Sequence, residues 1–283
     1  MTDYLKILGA VSIWAFFNGV LVKKIKTSGV GVGTWTSVIG ISIFIGVLWL
    51  GSRNFSLNLL NHRQLLMLAG LGMFSALNNA CFYTALKISI PQAALFHYLA
   101  PLLVIIWTQT VPIFYEPASF SAIAAIFIGL GGMYWLIAPN WKSGNPKLVF
   151  LGMLSAIFYS LEIVFSGYLS NDLGTAPEIS SAAKLLCQAA IMPMVAFCLN
   201  DSLRVAEKKE WIKIVIGGIL LYLSFVFYFS GSATVGDLHR GALGYIDRVG
   251  AIFLGVIFCK EKITKNAIIG GILILGAGLL ILT

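Results

Sequence analysis

Charged side chains are scarce in this sequence of 283 residues. Asp, Glu, Lys and Arg together make up 11% of the chain, whereas hydrophobic residues make up 59%. Soluble domains carry roughly 25% charged residues, so a soluble core could not absorb this much apolar surface. The apolar residues instead recur in runs of about 20, each long enough to cross a hydrocarbon layer roughly 30 Å thick. The composition excludes a soluble protein and predicts an integral membrane protein with several spans.

Cysteine is rare, and common catalytic motifs are absent. The four cysteines, Cys81, Cys187, Cys198 and Cys259, lie within apolar runs and lack CxxC spacing. We therefore expect neither disulfides nor a metal site. No GxxxxGK[ST] motif occurs, which argues against direct use of ATP. No HExxH, GxSxG or paired-aspartate motif occurs either, so the sequence predicts a protein that is not an enzyme and needs no cofactor.

Ten apolar spans fit the sequence, and continuous apolar runs predict helices rather than the strands of a barrel. The predicted spans are 4–22, 31–50, 64–86, 91–114, 120–138, 148–169, 179–199, 212–231, 241–259 and 264–282. Five spans in each half make the second half enter the membrane from the opposite face, as in transporters with inverted repeats. The predicted fold is an all-α membrane protein of two inverted five-helix repeats, residues 1–138 and 148–283.

The sequence repeats one pattern in its two halves. Each copy has an aromatic pair, a short polar break, an apolar span with a tyrosine near its start, a lone acid and a Gly-rich apolar span. The matching pairs, at one constant spacing, are Phe82 and Phe227, Tyr83 and Tyr228, and Glu116 and Glu261. An internal repeat of this kind has to be recognised before any fold is assigned.

The residues of this pattern resemble the EamA-type repeat of the drug/metabolite transporter superfamily. The matching features are FYTALK, YLAP and a following Glu in the first copy, and FYFSGS, YIDR, KEKIT and GGILILGAG in the second. The opening segment SIWAFFNGVLVKK also resembles the first span of that family. The resemblance implies ten helices around a central cavity, alternating access, and movement of small metabolites or drugs, often outward. One departure is Arg248, which stands where the second repeat usually has the proline that corresponds to Pro101.

Basic residues are distributed unevenly between the connections. Most lie in the odd-numbered connections, counted from the N-terminus; the termini and even-numbered connections carry only Lys6, Arg53, Arg63 and Arg240. This distribution indicates membrane orientation and lipid contact rather than binding to nucleic acid, and accounts for the net charge of +8. By the positive-inside rule the odd face, which carries the odd connections, is cytoplasmic, and the even face and both termini lie outside. The predicted location is a bacterial inner membrane.

Four ionisable residues fall inside predicted spans of the second half: Glu162, Lys184, Asp247 and Arg248. Each such charge costs about 2.5–3.5 kcal/mol at mid-membrane. Counting residues places all four roughly 8–11 Å from the even face, where two acids and two bases can pair, for example Asp247 with Lys184 or Glu162 with Arg248. Two interpretations stay open: a substrate path, or a salt-bridge cluster that joins helices.

Milder polar and aromatic residues complete the candidate site. Asn18, Asn78, Asn79 and His97 are expected nearer the odd face. His97 suits proton coupling or a neutral hydrogen-bonded role, and the asparagines suit ligand binding or helix bridging. The candidate cavity walls are Trp14, Phe17, Tyr98, Trp107, Tyr159 and Tyr245, of which Tyr98 and Tyr245 match in the repeat. Glu116 and Glu261 are expected to accept backbone N–H groups where the next helix begins.

These features favour a secondary transporter that exports a small polar or zwitterionic metabolite, such as an amino acid, across a lipid bilayer. A coupling proton or a counter-substrate is a further expected partner. An exchanger of a larger nucleotide-like metabolite is the alternative within transport, with Arg248 and Lys184 binding its anionic groups. An intramembrane enzyme and a channel are the alternatives outside it, and neither has a motif of its own in the sequence.

Overall fold

The computed structural model describes residues 2–50, 60–88, 93, 96–97, 99–137, 145–205, 207–259 and 265–282, and within these ranges the chain is helical and contains no strand. The α-helices that matter here are α1 (Thr2–Phe16), α2 (Gly29–Leu50), α3 (His62–Ile88), α4 (Ala100–Thr110), α5 (Phe120–Ile137), α6 (Pro146–Gly167), α7 (Pro177–Cys198), α8 (Glu210–Ser232), α9 (Asp237–Leu243), α10 (Ile246–Cys259) and α11 (Lys265–Leu282).

Among the residues that the structure describes, six helical segments are long and apolar enough to cross a membrane. They are Thr2–Leu21, Gly29–Val47, His62–Ala85, Pro146–Asp172, Pro177–Cys198 and Glu210–Ser232. Shorter apolar helices cover Ala100–Thr110, Phe120–Trp135 and Ile268–Leu280. Large apolar side chains such as Phe120, Phe197 and Leu50 are exposed on the outside of the bundle, as a lipid-facing surface requires. The protein is therefore an all-α integral membrane protein.

Local sequence explains several helix ends. The Asn145 side chain accepts hydrogen bonds from the backbone of Lys147 at 3.0 Å and Leu148 at 3.4 Å, and Pro146 occupies the first position of α6. Pro177 has the same position in α7. Proline is tolerated there because its missing N–H would have no partner within the helix. Both helices therefore begin about two residues before the predicted spans.

Helix packing joins the two halves throughout the bundle. α3 packs against α6 and α7, and α8 packs against α1 and α2. α1 also packs against α10, and α6 against α4, while α2 meets α7 and α5 meets α11. Small residues permit close approach: a Cβ added to Gly218 of α8 would lie 2.6 Å from Ile39 of α2.

On the odd face, hydrogen bonds and ion pairs join the connection between α1 and α2 to the segment where α8 begins. Glu210 accepts from the Lys26 backbone at 2.5 Å and from the Thr27 hydroxyl at 3.0 Å. Glu207 forms ion pairs with Lys209 at 2.7 Å and with Lys26 at 2.5 Å. Hydrogen bonds from Lys209 and Lys26 lower the pKa of Glu207 to about 2, so this carboxylate stays ionised across the physiological pH range.

A π-helical turn follows the first helix of each half of the sequence, α1 and α6. Phe17–Leu21 follows α1 and is followed by one α-helical turn, Val22–Lys24, whereas Tyr168–Asp172 follows α6. π-helical turns are rare and occur frequently at functional sites. The first of them brings Phe17 and Asn18 to the wall of a central cavity.

Candidate functional site

A partly open cavity of about 60 Å³ lies between α1, α3, α6, α7, α8, α10 and the helical residues just ahead of α4. Aromatic rings form much of its wall, including Phe17, Phe82, Tyr83 and Phe225. It also gathers most of the sequence-predicted candidates: Trp14, Asn18, Asn78, Asn79, His97, Tyr159, Glu162, Lys184 and Asp247. Residues far apart in the sequence therefore meet at one point.

A buried ion pair lies at the centre of this wall. The Lys184 ammonium donates to Glu162 Oε1, and the two residues are only 4% and 3% exposed. The same ammonium lies 3.9 Å from the centroid of the Phe225 ring and 5.8 Å from that of the Trp14 ring, where cation–π attraction adds to the ion pair. The sequence had suggested Lys184 with Asp247 or Glu162 with Arg248, whereas the ion pair in the structure joins the acid of α6 to the base of α7.

A chain of hydrogen bonds holds the second oxygen of Glu162. Asn78 Nδ2 donates to Glu162 Oε2 at 3.2 Å, and Ser155 Oγ donates to Asn78 Oδ1 at 2.9 Å. His97 Nδ1 lies 2.7 Å from Ser155 Oγ. Because a hydroxyl has one proton and Ser155 uses it on Asn78, His97 is the donor and carries a proton on Nδ1. These hydrogen bonds thus orient the Glu162 carboxylate and place a proton on His97 Nδ1.

His97 is held by aromatic rings as well as by this hydrogen bond. Its ring stacks between Phe82, with centroids 4.2 Å apart, and Tyr159, with centroids 4.6 Å apart. Trp14 is fixed by donating its indole N–H to Ser224 Oγ at 2.8 Å. Defined contacts therefore hold His97 and Trp14 in the cavity wall, which suits recognition of a ligand of defined shape.

Asn18, Asn79 and Asp247 line the same cavity. Asp247 is 4% exposed. Asn18 Oδ1 is buried and has no hydrogen-bond partner among the residues that the structure describes. A buried acceptor left unpaired costs about 1–3 kcal/mol, so its persistence in this cavity suggests that it serves a ligand.

Tyr245, Tyr98 and Arg248 are not seen in the cavity wall: the first lies away from it, and the side chains of the other two fall outside what the structure describes. Tyr245 is fully buried with Met133, Val249 and Ile274, and its ring packs on Gly129, away from the cavity wall. Tyr98 and the side chain of Arg248 lie outside the described residues. The sequence predicts that Asn78 lies nearer the odd face and Glu162 nearer the even face. In the structure the two side chains lie at a similar depth, because Asn78 donates a hydrogen bond directly to Glu162.

A second buried ion pair, which the sequence did not reveal, lies near the even face. Arg240 is 1% exposed and pairs with Asp237. Its guanidinium also donates to Ser166 Oγ at 2.7 Å, Ser232 Oγ at 2.8 Å and Ile163 O at 3.1 Å. The apolar runs predict that Arg240 lies in a connection, but α9 begins at Asp237 and carries Arg240 into the bundle. The only hint in the sequence is the i, i+3 spacing of an acid and a base.

Glu116 has a capping role, but at a different helix from the predicted one. Glu116 Oε2 accepts from the backbone N–H of Asp237 at 2.6 Å and of Leu238 at 3.3 Å. It therefore caps α9 of the second half rather than α5, the next helix along the chain. A negative charge is favourable at a helix N-terminus, and this contact ties the halves together at the even face. Glu261 lies outside the described residues.

Comparisons with known proteins agree with this architecture. The model of the EamA-like transporter family matches residues 146–283. A solved crystal structure, described only as that of a protein, superposes with a TM-score of 0.81 at 20% sequence identity, covering 99% of this chain and 96% of the other. At that identity the likeness shows the fold alone. No curated protein matches the sequence.

Proposed function

We propose that this chain is a secondary transporter of a small polar or zwitterionic metabolite. The premise is that the chain belongs, through residues 146–283, to the EamA-like transporter family and so to the drug/metabolite transporter superfamily. The observation that carries the proposal is the buried pair of Glu162 and Lys184 in an aromatic-walled cavity. Ionised side chains at membrane depth are costly and mark substrate or ion pathways. The family is one of transporters, so the proposal includes no catalytic step.

An amino acid or a related compound fits the charges of this cavity. Glu162 and Asp247 are suited to a substrate amine and Lys184 to a substrate carboxylate, because charge-assisted hydrogen bonds are the strong ones. The rings of Trp14 and Tyr159 would contact its apolar part. The proposed substrate contacts are Trp14, Asn18, Asn78, Asn79, His97, Tyr159, Glu162, Lys184 and Asp247; Tyr98 and Arg248 remain candidates on sequence grounds.

Alternating access by two inverted repeats is the proposed mechanism. The packing supports it: exchanging the halves turns the contact of α3 with α6 into that of α8 with α1, and the contact of α3 with α7 into that of α8 with α2. The cavity of about 60 Å³ is smaller than the roughly 300–1,000 Å³ of sites for drug-sized ligands. The helices must therefore part for a metabolite to enter.

Bonds between the halves on both faces are the proposed gates. On the even face, Glu116 caps α9, and Thr234 donates to Asp3 Oδ2 at 2.7 Å. On the odd face, Ser28 donates to Ser202 O at 2.8 Å, beside the Glu210 contacts. Opening either side requires its own set to break while the other set holds, which prevents both faces from opening together.

Export across a bacterial inner membrane, with the odd face cytoplasmic, is the proposed orientation. Two loop positions test it: Asp201→Cys on the odd face, where the residue is half-buried, and Ala118→Cys on the even face, where it is exposed, each in a background free of native cysteines. In intact cells we expect an impermeant maleimide to label Ala118→Cys and to leave Asp201→Cys unmodified until the membrane is permeabilised. The reverse pattern would invert the orientation without changing the fold.

Transport itself is tested by counterflow in proteoliposomes. Vesicles that contain the purified protein and a high internal concentration of an unlabelled candidate solute should accumulate the labelled solute transiently. The solute should be recovered chemically unchanged.

A further inference from the structure

Lys184 already occupies a binding site for an ammonium group. Its terminal nitrogen pairs with one oxygen of Glu162 and lies over the Phe225 ring, with Trp14 at its side. A carboxylate together with aromatic faces is the arrangement that recognises ammonium ligands. The Lys184 ammonium therefore shows which chemical group this part of the cavity wall binds.

Glu162 stays oriented without help from Lys184. Its other oxygen accepts from Asn78, which is held in turn by Ser155 and His97. These bonds involve α3, α6 and the residues ahead of α4, whereas Lys184 is on α7. If the lysine ammonium moves away, the carboxylate remains aimed into the cavity and ready for another cation.

Asn18 supplies an independent sign of a missing donor. Its Oδ1 atom is buried in the cavity wall with no partner in the described part of the chain. An ammonium group has three N–H donors, so a ligand ammonium held by Glu162 has donors to spare for this acceptor.

We propose that a zwitterionic substrate inserts into the Glu162–Lys184 ion pair. This inference rests on the proposed transport function and specifies its recognition step. The substrate ammonium takes the place of the lysine ammonium on Glu162 and donates to Asn18 Oδ1, while Lys184 turns to pair with the substrate carboxylate. Each charge keeps an opposite partner, so insertion leaves no unpaired ion in the bundle, where an unpaired ion is strongly destabilising.

Three probes of nearly equal size separate the two ends of the substrate: L-norvaline, which has both charges; n-butylammonium, which lacks the carboxylate; and valerate, which lacks the amine. Affinity is measured by ligand-dependent thermal shift of the purified full-length protein, because a ligand that binds only the folded state stabilises it. For the unmodified protein we expect norvaline to bind most tightly, since it satisfies Glu162 and Lys184 together.

Lys184→Met should change the order in which the three probes bind, from tightest to weakest. It removes the competing ammonium and the partner for the carboxylate. We expect butylammonium to bind at least about tenfold more tightly than before, and norvaline to bind at least about tenfold less tightly. Lys213→Met, the same substitution at a lysine outside the cavity wall that donates to Lys24 O, is the matched control and should keep the original order of affinities.

Asn18→Leu is the second variant and leaves both members of the ion pair in place. Loss of its acceptor should weaken norvaline and butylammonium about tenfold and leave valerate unchanged. The inference is overturned if no probe stabilises the unmodified protein, if Lys184→Met leaves the order unchanged, or if Asn18→Leu affects all three probes equally. Counterflow of solutes that lack an amine would also refute it, while leaving the transport function intact.

Discussion

Glu162→Gln is expected to abolish transport, with a loss of about 100-fold or more in the rate of proteoliposome exchange. The glutamine keeps the shape of the side chain but removes the charge that holds the Lys184 ammonium. A buried cation without its partner destabilises a protein by about 3–5 kcal/mol, so the melting temperature should fall as well. Glu178→Gln is the matched control, because Glu178 lies in the first turn of α7, away from the cavity wall, and we expect it to transport normally.

The double variant Glu162→Gln/Lys184→Met separates structure from function at this pair. Removing both charges together should restore much of the lost stability, because no buried ion is left unpaired. Transport should stay absent, since the groups that recognise the substrate are gone. Recovery of transport in the double variant would show that the pair only joins helices, and would contradict a substrate site at Glu162.

Arg240→Met is expected to produce a large loss of stability. The guanidinium satisfies Asp237, two hydroxyl groups and the Ile163 carbonyl. Its removal leaves a buried carboxylate without its partner, and we expect the free energy of unfolding to fall by about 3–5 kcal/mol. Reversible unfolding in mixed micelles with increasing denaturing detergent measures the change.

Two further variants control for this interpretation of Arg240. Arg204→Met changes the same residue type at an exposed position and should unfold like the unmodified protein. Asp237→Asn combined with Arg240→Met should be more stable than Arg240→Met alone, because the uncompensated carboxylate is gone. If Arg240→Met unfolds at the same detergent fraction as Arg204→Met, the buried cluster does not stabilise the even face.

Long apolar runs predicted several of the helices well, since hydropathy depends on local composition, but predicted span 241–259 is divided between α9 and α10. Predicted span 31–50 corresponds to Gly29–Leu50, span 120–138 to Phe120–Ile137, and span 212–231 to Glu210–Ser232. The polar candidates inside these runs were also predictable, because an ion at membrane depth requires an explanation wherever it occurs. Glu162 and Lys184 were identified on that argument alone.

The residues that sequence reasoning misplaced depend on partners distant in the chain. Arg240 follows a polar break and looks like a connection residue; its burial is due to Ser166 of α6 and Ser232 of α8. Tyr245 was expected in the cavity because its position in the repeat matches that of Tyr98. The helix is interrupted at that point, between α9 and α10. Because each residue turns a helix by about 100°, this short interruption changes the direction of the Tyr245 ring, which points towards Gly129.

Counterflow tests the central claim, that this protein carries a solute through its central cavity by alternating access. With saturating unlabelled L-norvaline inside the vesicles and a trace of labelled L-norvaline outside, we expect the label to accumulate transiently inside above its equilibrium level. That accumulation should saturate with external solute, involve unaltered solute, and be absent from Glu162→Gln vesicles. Equilibration without an overshoot would indicate a channel, and recovery of the label in a different compound would indicate an enzyme; either result would contradict the account.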